Sequence, residues 1–170
     1  MKKLALTDFA KYRYPSALEL SPDSRYLTFA LKDVDREGDG YRWNLWLYDL
    51  ERRESRQITQ GDDQRKAVWE DNTHILYKTT EPDEALRARG FEEEWTVYHR
   101  LNVCTGEDRE AFRLPMSVSG LWKMDEGRYV FTGETHLDRP NLLELTGEAL
   151  EKELVRRQQT KGYKVLTELP

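Results

Sequence analysis

Leu20-Ser21-Pro22-Asp23-Ser24-Arg25-Tyr26-Leu27-Thr28-Phe29 runs from an apolar anchor through a polar turn into a β-prone stretch. Pro22 presets φ for the second position of a tight turn, and Asp23 can accept from nearby backbone N–H groups. Trp69-Glu70-Asp71-Asn72-Thr73-His74-Ile75-Leu76-Tyr77 repeats the design with the same spacing from anchor to strand start. Trp122-Lys123-Met124-Asp125-Glu126-Gly127-Arg128-Tyr129-Val130-Phe131 repeats it again with a turn one residue longer, in which Gly127 permits a positive φ. The strand starts Tyr26, Ile75 and Tyr129 lie 49 and 54 residues apart. Each unit therefore opens as a β-hairpin.

A second strand pair follows in two of the units. The first has Asn44-Leu45-Trp46-Leu47-Tyr48-Asp49-Leu50, a polar stretch from Glu51 to Glu54, and Arg56-Gln57-Ile58-Thr59. The second has Thr96 to Val103, the turn Thr105-Gly106-Glu107-Asp108, and Ala111-Phe112-Arg113-Leu114. Four strands in roughly fifty residues is the size of a β-propeller blade. Face usage agrees: Leu45 and Leu47 point one way, Trp46 and Tyr48 the other, and both sets are apolar. Leu27 and Phe29 likewise oppose Tyr26, Thr28 and Ala30. Strands covered on both faces read this way, whereas an ordinary antiparallel sheet would have to leave large aromatics in water. The expected fold class is all-β, an incomplete propeller of two whole blades and one partial.

Two insertions break the rhythm. Glu81 to Gly90 reads as a short helix or turn closed by Gly90. In the third unit a loop with His136 and Pro140 precedes a helical run over about 147–159. Its Leu150, Leu154 and Val155 recur at helical spacing, with Thr146 placed to cap it. Gly162 ends the helix, and Tyr163-Lys164-Val165-Leu166 begins something extended. The third unit lacks an outer strand pair, and a ring needs about four to eight blades. Residues 1–170 are thus expected to be an N-terminal propeller fragment: blade 1 about 16–60, blade 2 about 67–114, partial blade 3 about 117–170. Open edge strands are sticky, so self-association is expected of the isolated piece.

Composition narrows the function classes. The chain has 170 residues, 38% hydrophobic and 35% charged, with five Trp and nine Tyr, too apolar for a disordered chain. The net charge of −5 and the absence of a basic stripe argue against nucleic acid. Arg52-Arg53 and Arg156-Arg157 sit among carboxylates. One cysteine, Cys104, allows no internal disulfide. The start Leu4-Ala5-Leu6 is too short for a signal-peptide core and no stretch reaches membrane-span length. A cytoplasmic, membrane-free protein is the expectation.

Ser21 to Ala30, then Asn44 to Leu50, then Arg56-Gln57-Ile58-Thr59 resemble the WD40-like blade of TolB-type propellers and of the prolyl oligopeptidase family of serine peptidases. The opening Leu6-Thr7-Asp8-Phe9-Ala10-Lys11-Tyr12, the Glu92-to-Val103 region and the helix-bearing third unit resemble the peptidase subgroup, notably bacterial acylaminoacyl-peptidase-like enzymes. The resemblance implies a propeller that limits peptide access to a following α/β-hydrolase domain carrying a Ser-Asp-His triad. The other reading is a TolB-like module that binds protein with no enzyme attached.

The chain itself is expected to supply no catalytic, cofactor-binding or metal-binding residues, and no cofactor. No Gly-x-Ser-x-Gly elbow occurs; Ser117-Val118-Ser119-Gly120 lacks the first glycine. His74, His99 and His136 have no ligand spacing with Cys104, and His74 and His99 fall in strands. Cys104 lacks a base at hand. Glu92-Glu93-Glu94 could hold a substrate's ammonium group, but reads first as a solvated charge run. The helix is expected either to dock on the hydrolase domain or another subunit, or to cover its own blade.

Overall fold

The structure, a computed structural model, describes residues 12–35, 40–135 and 138–160. Leu6 to Lys11, His136 and Gly162 to Leu166 lie outside the described residues. Strands β1 (Tyr14–Leu20), β2 (Tyr26–Asp35), β3 (Gly40–Asp49) and β4 (Glu54–Gln57) form an antiparallel sheet in chain order. Strands β5 (Ala67–Trp69), β6 (His74–Pro82), β7 (Glu94–Asn102) and β8 (Asp108–Leu114) form a second of the same design. Strands β9 (Ser117–Lys123) and β10 (Tyr129–Glu134) pair as a third. Helix α1 (Glu84–Arg87) interrupts the second sheet between β6 and β7, and α2 (Gly147–Thr160) follows β10.

The repeat is visible at the level of single hydrogen bonds. Between β3 and β4, Asp49 Oδ1 accepts from the backbone N–H of Glu51 and Arg52, and the Arg53 N–H donates to the Asp49 carbonyl. Between β7 and β8, Asn102 Oδ1 accepts from Cys104 and Thr105, and the Gly106 N–H donates to the Asn102 carbonyl. Both turns end in the left-handed region, at Arg53 (φ 58°) and Gly106 (φ 79°). At the other turn of each unit, Asp23 caps Arg25 while Asp71 caps Thr73 and His74. One short polar side chain thus organises each reversal, as Asx-turns do.

The strand register corrects one alignment. Leu20 pairs with Leu27, Trp69 with Ile75 and Lys123 with Tyr129. Leu27, not Tyr26, is therefore the equivalent of Ile75 and Tyr129, and the first turn is the longer one rather than the third. Ser21 is the cause. Its N–H donates to the Tyr26 carbonyl and its Oγ accepts from the Tyr26 N–H, which closes a wider turn. The other units close one residue tighter, at Glu70/His74 and Met124/Arg128. A one-residue shift moves every side chain to the opposite face, so Tyr26 looks toward the second sheet while Ile75 looks back at the first.

The sheets stack through these faces. Tyr26, Ala30, Leu45 and Leu47 of the first sheet meet Ala67, Trp69, Ile75, Tyr77, Leu101 and Val103 of the second. The Tyr26 and Trp69 rings stack at 6.4 Å and 12°. On its other side the second sheet presents Leu76 and Tyr98 to Val118 and Leu121 of the third. Each such side chain removed from water contributes about 1.5–3 kcal/mol. Polar ties cross both joints: Trp69 Nε1 donates to the Glu19 carbonyl at 3.1 Å, and Lys78 Nζ to the Val118 carbonyl at 2.8 Å. The buried Glu70 carboxylate accepts from Arg100 and from the Tyr129 hydroxyl. Burial pushes the Glu70 carboxyl up, and these donors outweigh it and hold it below the ordinary range.

Among the described residues, only the second sheet is covered on both faces. On the first sheet, Leu27, Phe29, Trp46 and Tyr48 stay half-buried on the side away from the second. A satellite core gathers Leu86 of α1, Leu142 of the turn before α2 and Leu154 of α2, with Phe91 and Leu150 against it. Of the predicted helix stripe, Leu154 is fully buried and Leu150 partly so, but Val155 is 49% exposed. Glu153 takes the buried place instead, held by Arg156 and Arg157.

Candidate functional site

A cavity of about 630 Å³ opens where the loop between β6 and β7, the β8–β9 connection and the segment after β10 converge. The approach to its wall is set by α1. Asp83 caps that helix by accepting from the Leu86 N–H at 3.0 Å, and its other oxygen accepts from Trp95 Nε1 at 3.2 Å. Gly90 then turns the chain with φ 81°, a conformation open to glycine at little cost. Glu92, Glu93 and Glu94 follow directly on the cavity wall.

The far wall comes from α2 and the residues before it. Arg157 donates to Glu93 Oε1 at 2.8 Å, to Glu153 Oε1 at 3.0 Å and to the Pro140 carbonyl at 2.6 Å. Arg89 and Glu151 form a two-bond pair at 2.6 and 2.7 Å between the two helices. Asn141 donates to the Pro115 carbonyl and accepts from the Leu143 N–H. The bonds donated by Arg156 hold the Glu153 carboxyl down to about 2; desolvation opposes them, and the Arg157 guanidinium adds to them. The helix is thereby pinned to the rim, and it packs on an insertion of the second sheet.

This changes the reading of the glutamate run. Glu93 is an ion-paired wall residue at 30% side-chain exposure, not a solvated charge. Glu92, Glu94 and Glu134 line the cavity beside Pro115, Met116 and Leu143. Such a wall can hold a polar or cationic stretch of an extended chain against an apolar floor. The signal for Glu93 lay in Arg157, some sixty residues away, which no local pattern connects to it.

The other sequence candidates are scattered. His74 Nδ1 lies 2.9 Å from Asp71 Oδ2, and its Nε2 lies 3.1 Å from Asn102 Nδ2. Both ring nitrogens are engaged at the turn end of the second sheet. His99 stacks on Tyr77 at 5.2 Å, and Tyr77 donates to Asp108 Oδ2 at 2.5 Å. Burial and then Asp108 push the Tyr77 hydroxyl well up. Cys104 is exposed in the β7–β8 turn, 3.8 Å from the Tyr26 hydroxyl. Ser117 to Gly120 lie in strand β9, where Ser119 bonds Thr132, so no strand-to-helix elbow forms there. Among the described residues, the cavity lining contains neither histidine nor cysteine, and no group of three or more His, Cys, Asp or Glu is placed to hold a metal.

Comparison with solved structures decides the architecture. The β-propeller domain of the Trilobed protease from Pyrococcus furiosus, described as having an open velcro topology, superposes with a TM-score of 0.53 at 13% identity, over 72% of this chain and 34% of that one. Acylaminoacyl peptidase from Pyrococcus horikoshii gives a TM-score of 0.56 at 15% identity, over 75% of this chain and 18% of that one. The fold is that of an incomplete β-propeller. The chain spans about a third of the first of these proteins and under a fifth of the second. No protein-family model matches the chain, and no curated protein sequence does. The two four-stranded sheets are blades, the β9–β10 pair begins a third, and α2 is the helical insertion of that third unit. No helix among the described residues is long and apolar enough to cross a membrane.

Proposed function

We propose that this chain is the propeller portion of a cytoplasmic serine peptidase of the prolyl oligopeptidase family, acylaminoacyl-peptidase-like in kind. Its role is to limit which peptides reach an α/β-hydrolase domain, and that domain is its principal partner. The observation that carries the reading is the run of stacked blades built on WD40-like turn chemistry, in a fold shared with a protease propeller domain and an acylaminoacyl peptidase. The cavity supports it. Its acidic, partly apolar wall suits contact with an extended peptide, while its described lining holds no nucleophile with a positioned base. The propeller therefore contributes exclusion and contact, and the bond chemistry belongs to the hydrolase domain.

The test compares the 170-residue chain with the product of the uninterrupted reading frame that contains it. Both are treated with a fluorophosphonate probe and with acetyl-alanyl p-nitroanilide. The proposal expects the short chain to be inert, and the longer product to label on one serine and cleave the short acyl substrate but not folded proteins. A longer product that neither labels nor hydrolyses would replace this reading with the protein-binding, TolB-like one.

A further inference from the structure

Helix α2 and the segment leading into it make the far wall of the cavity, and α2 reaches the lining through Arg157. Its hold on the rest of the molecule is narrow. Among the described residues Leu154 is its one fully buried apolar side chain, while Glu148, Ala149, Glu151, Lys152 and Val155 face solvent. A helix of fourteen residues is marginal in water by itself, so whatever docks α2 also keeps it helical. The ionic ties are unequal. Arg89 and Glu151 are 38% and 59% exposed, and a pair in that setting adds little. Arg157 and Glu93 are 12% and 30% exposed, so solvent and salt screen them far less. Glu153 accepts from Arg156 as well as from Arg157, all within the helix. The Glu93–Arg157 bond, by contrast, joins the helix to the second blade.

We infer that α2 is a latched flap on this cavity and that the Glu93–Arg157 pair is its latch. With the pair made, Arg157 also donates to the Pro140 carbonyl and draws the lead-in segment against the rim. With the pair broken, α2 and the Leu142–Glu144 turn leave Leu86 together and the far wall opens. The Asn141 bond to the Pro115 carbonyl stays and serves as the hinge. Opening is a local unfolding step, because the satellite core that α2 shares is separate from the blade joints. That the flap governs which peptides enter rests on the peptide-contact reading of the cavity; its release from Glu93 does not.

Hydrogen exchange read by mass spectrometry on the 170-residue chain tests the latch. Glu93→Gln keeps the shape of the side chain, removes its charge and leaves the Glu153 bonds in place. Exchange in α2 is expected to speed at least about tenfold in that variant, because Arg157 loses a partner in a partly buried place. Exchange in β2, β3, β6 and β7 is expected to stay as it is. Glu151→Gln is expected to change α2 exchange by less than about twofold. Arg157→Gln is expected to speed α2 at least as much as Glu93→Gln, and the double variant no further than Arg157→Gln, since the shared bond is lost once. Met116→Cys in a Cys104→Ser chain puts the one thiol on the cavity lining. Its labelling by a bulky maleimide is expected to speed when Glu93→Gln is added, and Leu143→Cys takes its place if the Met116 variant does not fold. Exchange in α2 within about twofold of wild type in Glu93→Gln, or an equal effect from Glu151→Gln, would overturn the inference. Equal acceleration in β6 and β7, additive effects in the double variant, or unchanged thiol labelling would overturn it too. A longer product that fails to label with the fluorophosphonate probe leaves all of these results standing, so the two readings fail separately.

Discussion

The two β-turns that close on Arg53 and Gly106 make opposite predictions from one backbone geometry. Arg53 holds a left-handed φ of 58° that a side chain disfavours by roughly 1–2 kcal/mol, partly offset by the greater chain entropy of glycine. Arg53→Gly is therefore expected to stabilise the chain by up to about 1 kcal/mol. Gly106 (φ 79°) meets nothing within 4 Å of a built Cβ, so Gly106→Ala loses about 1 kcal/mol through the backbone alone. Denaturant midpoints at constant slope check both. Asp71 gives a pH prediction. Desolvation raises its carboxyl, but the N–H groups of Thr73 and His74 and the side chains of both outweigh it and bring it from 3.8 to about 2. A carboxylate depressed in the fold contributes stability that is complete above its unfolded value and is lost as pH falls through the folded one. Stability should decline between pH 3.8 and about 2, and Asp71→Asn should flatten that part of the curve. A variant whose acid unfolding curve superposes on wild type contradicts the assignment.

At the scale of elements, α2 is docked by few apolar contacts and many ionic ones. Leu154 is its one fully buried apolar residue, against Leu86 and Leu142. Leu154→Ala is expected to cost about 2–4 kcal/mol locally. Hydrogen exchange should then speed in α2 and in the α1 turn while β2 and β3 keep their protection, since the satellite core is separate from the blade joints. Equal acceleration in β2 would show that the two cores unfold as one. Strand order, turn sites and the helix at Gly147–Thr160 were legible in the sequence because their signals are local: alternation, Asx-forming residues, helical spacing. The register of the first hairpin was not. Ser21 looks like part of a strand-to-turn edge, and only its bonds to Tyr26 show that it widens the turn. The buried place of Glu153 was hidden for the same reason. Helical spacing favours Val155, but two arginines neutralise a carboxylate that spacing alone would leave in water.

For the whole molecule, fifty-residue periodicity becomes stacked sheets because each blade has two apolar faces and cannot bury both alone. The candidate site was illegible at that scale. Its cavity joins residues 92–94, 115–117, 133–135, 139–141, 143 and 157, and the Arg157–Glu93 pair is what brings the last of these to the first. The measurement that bears most directly on the stacked-blade claim is a set of nuclear Overhauser contacts from the chain in solution. Cross-strand contacts are predicted for Leu27 with Tyr48 and for Ile75 with Leu101, together with contacts between the Tyr26 and Trp69 rings. Ladder contacts joining β4 to β5 in one continuous sheet, with no Tyr26–Trp69 contact, would contradict it.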